Sequence, residues 1–216
     1  MKKRSSLLRQ LYRRTFKHYG PLHWWPGETP FEVMVGAILT QNTAWTNVEK
    51  AIRNLKKNRL LDPKKLLKLP PQKLARLIRP AGYFNVKTKR LRHFLKFLMA
   101  EYNGNISKMK RRPSAELREK LLAVNGIGPE TADSILLYAL AKPVFVIDAY
   151  TRRILSRHYL TKKETPYEAL QDFFLQRLKP DVSFYNEYHA QLVNIGKDFC
   201  RNNPRCDQCP LNGLNW

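Results

Sequence analysis

Four places in this 216-residue sequence concentrate residue types able to do chemistry. The first is Leu121-Leu122-Ala123-Val124-Asn125-Gly126-Ile127-Gly128-Pro129-Glu130-Thr131-Ala132. It reads as a helix, a Gly-x-Gly turn and a second helix opening on proline, the residue that tolerates a first helical position. Backbone N–H groups at the positive end of a helix form an anion site, although a Gly-x-Gly turn by itself is also an ordinary way to join two helices. The second is Asp148, eighteen residues beyond Glu130. It serves either as the N-cap of a helix beginning near Ala149 or as a reactive carboxylate that the positive helix end favours, and both can hold at once. The third is an aromatic set, Trp24-Trp25-Pro26 with Trp45. Tryptophans are usually core, yet two adjacent ones cannot both face inward from one helix face. Electron-rich rings also stack on a cationic base, with an attraction of roughly 1–2 kcal/mol once water is excluded. The fourth is Cys200-x5-Cys206-x2-Cys209, which holds every cysteine of the chain.

The elements that must position these residues are helical. Apolar residues step by three or four through Phe31, Met34, Val35 and Ile38, through Trp45, Val48, Ile52 and Leu55, and through Leu91, Phe94, Leu95, Leu98 and Met99. The same spacing continues to Tyr188, Leu192, Ile195 and Phe199. Val144 to Ile147 alone has the look of a strand and is too short to seed a sheet. Breakers fall at Gly27 to Pro30, Asp62-Pro63, Pro70-Pro71, Pro80 to Gly82, Gly126 to Pro129 and Pro180. The expected fold is all-α, about ten short helices by that reading, without repeat or linker.

Composition narrows the partner. Forty Lys and Arg against seventeen Asp and Glu leave a formal charge of +23. Such an excess repels itself unless a polyanion offsets it, which points to nucleic acid; a merely basic surface is the plainer alternative. No apolar run approaches the roughly 18 residues of a membrane span, and the basic start lacks the apolar stretch of a secretory signal. The chain is therefore expected to be cytoplasmic, associated with the nucleoid and away from membranes. Cysteines in that compartment do not suggest disulfides.

Taken in order, these motifs resemble the helix-hairpin-helix DNA glycosylases of the endonuclease III superfamily, from Thr29-Pro30-Phe31-Glu32 through Leu39-Thr40-Gln41-Asn42-Thr43, the hairpin and Val146-Ile147-Asp148 to the cysteines. The resemblance implies a two-lobed fold: a six-helix barrel lobe over residues 31–142 carrying the hairpin, and a second lobe made of 1–30 and 143–216. It places a base-extrusion pocket between them. Asp148 matches the family's catalytic aspartate. Glu130 occupies the slot where bifunctional members carry a Schiff-base lysine, and a carboxylate cannot form an imine, so water is the expected nucleophile and β-lyase chemistry is not expected. Favourable placement in a first helical turn is the alternative account of Glu130.

Trp24-Trp25-Pro26, Trp45 and Gly-Ile-Gly-x-Glu-x-Ala-Asp at Gly126 to Asp133 are similar to the branch that removes 3-methyladenine. That similarity implies a base pocket of Trp24, Trp25, Pro26, Trp45 and Glu130. By the same resemblance Gln41, Asn42 and Tyr83 contact the gap left by an extruded nucleotide. Gly126, Ile127, Gly128 and Thr131 of the hairpin would meet phosphate, with an alkali cation expected at the hairpin; Lys87, in the run Lys87-Thr88-Lys89-Arg90, is expected at phosphate too, a solvated face being the alternative. Asn42 as a helix cap and Tyr83 as core are the alternatives. The cysteines would hold a 4Fe-4S cluster, although Asn215 stands where the fourth cysteine is expected, and zinc or a decayed site are the other readings. The expected function is a monomeric, monofunctional glycosylase that removes alkylated purines from double-stranded DNA; removal of uracil or mismatched pyrimidines, or a DNA-binding homologue without catalysis, are the alternatives.

Overall fold

The computed structural model describes residues 2–214, with side chains from Ser6 onward. Asn215, the position of the absent fourth cysteine, lies outside the described residues. The helices are α1 (Lys2–Tyr19), α2 (Pro30–Leu39), α3 (Trp45–Lys57), α4 (Pro63–Lys68), α5 (Pro71–Leu77), α6 (Phe84–Tyr102), α7 (Ile106–Lys110), α8 (Ser114–Leu122), α9 (Pro129–Ser134), α10 (Ala149–Arg157), α11 (Tyr167–Leu175) and α12 (Val182–Asp198). Among the described residues there is no strand, so the chain is all-α.

The breakers act as helix starts. Pro30, Pro63, Pro71 and Pro129 each open a helix, where a missing N–H costs nothing. Thr29, Asp62 and Asp181 cap α2, α4 and α12 through their side-chain oxygens. The chain divides into two compact units, one of Met1–Trp25 with Pro143–Trp216, the other of Pro26–Lys142.

In the contiguous unit, α2 is apolar on nearly every side and is buried along its length from Phe31 to Leu39, which marks it as the centre of the core. It packs against α3, α6, α9 and the turn that follows α9. That turn, Ile135–Ala139, is a π-helical stretch, where simple helical spacing predicted an unbroken α-helix. Glu32, buried on α2, receives the Lys56 ammonium at 2.9 Å and the Glu28 N–H at 3.3 Å, so the charge is paired where it is least hydrated.

In the other unit, α12 packs on α1 and α10. The Tyr188 hydroxyl donates to the Leu8 carbonyl at 2.7 Å, pinning α12 to α1. Gly196 lies against Tyr150: a Cβ there would stand 2.3 Å from the Tyr150 ring, so α10 and α12 approach closely because this residue has no side chain. Phe145, Val146 and Ile147 are buried without a sheet partner. The Gln171 amide donates to the Phe145 carbonyl at 2.8 Å and the Ile147 N–H donates to the Tyr167 hydroxyl, so side chains of α11 do what a neighbouring strand would. Phe145 stacks on Phe174 with centroids 3.9 Å apart.

Candidate functional site

In the contiguous unit, α8, the turn at Val124 to Gly128, and α9 form a helical hairpin. Gly126 has φ +91°, and a Cβ on it would stand 2.3 Å from Arg90 Cγ; both facts demand glycine. Ile127 is buried beneath the turn and Gly128 is exposed at its tip. The Gln41 amide donates to the Gly126 carbonyl at 3.0 Å and to Thr131 Oγ1 at 2.9 Å, while its oxygen accepts from Arg90 Nη1 at 2.5 Å. Both ends of the Gln41 amide are thus committed, the nitrogen to the hairpin and the oxygen to Arg90 on α6, which corrects its expected place in the gap left by a nucleotide. Thr131, expected at phosphate, is buried and accepts that bond. The Val124 carbonyl accepts from the Ile127 N–H and the Gly128 carbonyl from the Ala132 N–H, so the Val124, Gly126 and Gly128 carbonyls already have partners.

Two neighbouring turns end in exposed left-handed residues. Asn42 has φ +51° and Tyr83 φ +46°, and Tyr83 is 72% exposed, which sets aside a core role for it. Asn42 does not cap α3; Ala44 precedes that helix without a side-chain cap. Lys87 requires a second correction. Only 1% exposed, its ammonium donates to the Leu39 carbonyl at 2.7 Å, to Thr43 Oγ1 at 2.5 Å and to the Ala81 carbonyl at 2.9 Å. All three donors are used inside the protein, so it does not reach a phosphate. Burial, with Arg90 adding repulsion, lowers its pKa to about 8. Lys89 on the same helix is exposed. Glu130 is exposed in the first turn of α9, and Trp45, half-buried, opens α3 with its indole N–H donating to Glu49 at 3.1 Å.

In the other unit, Asp148 caps α10: its Oδ1 accepts the Thr151 N–H at 2.7 Å. Its Oδ2 faces His189 Nε2 at 3.7 Å. His189 comes from the buried face of α12, beside Tyr188, and sequence reading assigned it no part. Its only signal is its place next to the apolar stripe that runs from Tyr188 to Phe199. Burial holds its pKa below the ordinary histidine range, with Asp148 pulling the other way.

Trp24 and Trp25 lie in an irregular segment and are both half-buried, so the one-helix-face argument does not apply to them. Their rings are 5.7 Å apart and nearly perpendicular. The Lys197 ammonium lies 5.6 Å from the Trp24 ring centre, so this ring already has a cation over it. Pro26 is exposed.

Cys200 is buried, Cys206 exposed and Cys209 half-buried. With His158 they line a cavity of about 260 Å³. Among the described residues no three His, Cys, Asp or Glu side chains converge as a metal site. Burial, with Cys200 and Cys206 adding repulsion, pushes the Cys209 thiol up. As placed, the set does not fit a cluster or zinc. Arginines hold the loop instead: Arg153 donates to the Cys200 carbonyl at 2.5 Å, Arg157 to the carbonyls of Arg201 and Asn202, and Arg14 to that of Asn212 at 2.6 Å.

A helical hairpin in one all-α unit and a carboxylate capping a helix in the other define a helix-hairpin-helix protein. Residues 35–180 match the family described as "HhH-GPD superfamily base excision DNA repair protein", and the chain belongs to that family as a DNA base-excision repair glycosylase. It is 46% identical over 208 residues to the protein named "Putative DNA repair glycosylase MJ1434" of Methanocaldococcus jannaschii, covering 95% of this chain and 94% of that one. A 3-methyladenine DNA glycosylase of H. pylori, solved bound to 1,N6-ethenoadenine, superposes with TM-score 0.76 and 30% identity over 90% of this chain and 97% of that one. A non-covalent endonuclease III–DNA complex superposes with TM-score 0.82 at 20% identity, over 97% and 94% of the two chains. DNA is the partner. Among the described residues no helix is long and apolar enough to cross a membrane.

Proposed function

We propose that this glycosylase is monofunctional and releases alkylated purines such as 3-methyladenine from double-stranded DNA. Glu130 carries the reading. It stands exposed in the first turn of α9, the slot where the resemblance sets a lysine in bifunctional members. A carboxylate cannot open an imine route, so water takes the sugar carbon. The 30% identity to a 3-methyladenine glycosylase supports the substrate class.

Asp148 is the catalytic group in this reading. One oxygen is fixed by the Thr151 N–H, and the carboxylate stabilises positive charge growing on the sugar and orients the attacking water. The C1′–N bond breaks with its electron pair going to the base, water oxygen bonds to C1′, and the water proton leaves to solvent. A cationic alkylpurine departs neutral and needs no acid. Stacking on the base is the role the resemblance gives to Trp24, Trp25 and Trp45, and the Trp24 ring also faces Lys197. Asn42 and Tyr83 enter the vacated gap, and the hairpin N–H groups of Gly126 and Gly128 meet phosphate, that of Ile127 being held by the Val124 carbonyl. No step runs through the cysteines or through an alkali cation at the hairpin.

The test is mass spectrometry of bases freed from methylated, uracil-containing and mismatched duplexes, paired with borohydride treatment. Release of 3-methyladenine above uracil with no trapped adduct is expected. A borohydride-trapped protein–DNA adduct overturns the monofunctional reading, and preference for uracil or thymine overturns the substrate.

A further inference from the structure

The ammonium of Lys87 sits where two turns meet. From α2 and the turn after it come the Leu39 carbonyl and Thr43 Oγ1; from the turn before α6 comes the Ala81 carbonyl. The Thr43 hydroxyl donates in turn to the Ala81 carbonyl at 2.7 Å, closing a ring of polar groups. The Lys87 backbone N–H also donates to the Tyr83 carbonyl at 2.9 Å. One residue thus holds Tyr83 by its main chain and the segment just before Tyr83 by its side chain. On either side of this ring, Asn42 and Tyr83 stand in left-handed conformations, exposed.

A buried ammonium without a carboxylate among these partners is a costly way to fill space. An aliphatic side chain would pack there without desolvating a charge, but it would leave the Leu39 and Ala81 carbonyls with no shared donor. What an ammonium supplies is three tetrahedral donors that fix three acceptors relative to one another. Arg90, one helical turn on, accounts for the rest: it binds Gln41, which binds the hairpin at Gly126 and Thr131. The first turns of α6 therefore tie both exposed turns and the hairpin into one frame.

We propose that Lys87 is a positioning residue that sets the separation of Asn42 and Tyr83, so that the two enter duplex DNA as a unit. The inference rests on the proposed entry of those two side chains into the vacated gap. Lys87 touches neither base nor sugar; it acts through the turns it joins.

The test uses the full-length protein and a duplex carrying a tetrahydrofuran abasic analogue opposite 2-aminopurine, whose fluorescence rises when it is unstacked. Asn42→Ala and Tyr83→Ala each lower the rise, and because the residues act together their effects in the double variant fall short of additive. In Lys87→Met the wild-type rise is lost, the coupling between the two sites disappears, and single-turnover release of methylated purine falls by about tenfold, while duplex Kd moves by less than about threefold. Lys87→Arg keeps the charge but presents a flat fork to three convergent acceptors, so it is folded and shows the same loss; it stands as the test if Lys87→Met does not fold. A merely structural role lowers the melting temperature and leaves the coupling and the fluorescence intact, and that outcome in a folded variant overturns the proposal. Fluorescence indifferent to Asn42→Ala and Tyr83→Ala overturns the entry reading itself, and the proposal with it.

Discussion

Asp148 gives one carboxylate oxygen to the Thr151 N–H and turns the other toward His189. Asparagine caps a helix as well as aspartate, so Asp148→Asn keeps α10 and tests the charge alone. We expect base release to fall by about 10²- to 10³-fold, with duplex affinity and melting temperature near wild type, measured by single-turnover release beside equilibrium binding. The histidines predict a pH effect on stability. Burial pushes His189 and His158 below the ordinary value of 6.5. The folded state then binds fewer protons than the unfolded chain, so stability is full above about 6.5 and is lost as pH falls from there toward the lower folded values. Melting temperature should drop between pH 7 and 5, and His189→Gln should reduce the slope; an unchanged slope removes His189 from the account. Asp148 was legible as a helix cap from its place before Ala149. His189 was not, because pairing across forty-one positions between α10 and α12 leaves no local signature.

At the scale of elements, the turns are the parts that tolerate least. Gly126→Ala must displace Arg90, and with it the bond to Gln41, in a backbone conformation that disfavours any side chain. A loss of about 1–3 kcal/mol in unfolding free energy is expected by denaturant titration. Gly128→Ala meets open space and should cost less than about 0.5 kcal/mol in the same assay. The cysteine loop gives a different expectation. Arginine-to-carbonyl bonds hold it, so chelation should leave the melting temperature unchanged, whereas a drop of more than about 5 °C with release of iron or zinc would restore a metal to its architecture. Helix starts were legible from Pro30, Pro63, Pro71 and Pro129, since proline speaks through local sterics. The π-helical turn at Ile135–Ala139 was not, since its apolar spacing matches an α-helix to within one residue. Nor was the burial of Lys87. A lysine in the run Lys87-Thr88-Lys89-Arg90 looks solvated until the turns at Thr43 and Ala81 close over it.

For the whole molecule, an excess of +23 charges makes DNA affinity a matter of counterion release. Kd for an undamaged duplex should weaken by at least about tenfold between about 50 and 200 mM salt, read by fluorescence anisotropy, and a flat dependence would show that the charge does not face DNA. Chain order adds a constraint on biogenesis. Residues 26–142 form a contiguous unit that is complete once it has been synthesised, whereas the other unit needs segments on both sides of it. Leu8, on the face of α1 that α12 covers, meets Tyr188 only after 180 further residues have been made. At ribosomal rates of about 5–20 residues per second that face waits on the order of 10–40 s for its cover. The nascent α1 is therefore an amphipathic, strongly basic helix without its mate, the kind of segment that a holdase occupies. A chain order in which α1 followed α12 would shorten the wait to the length of one connection.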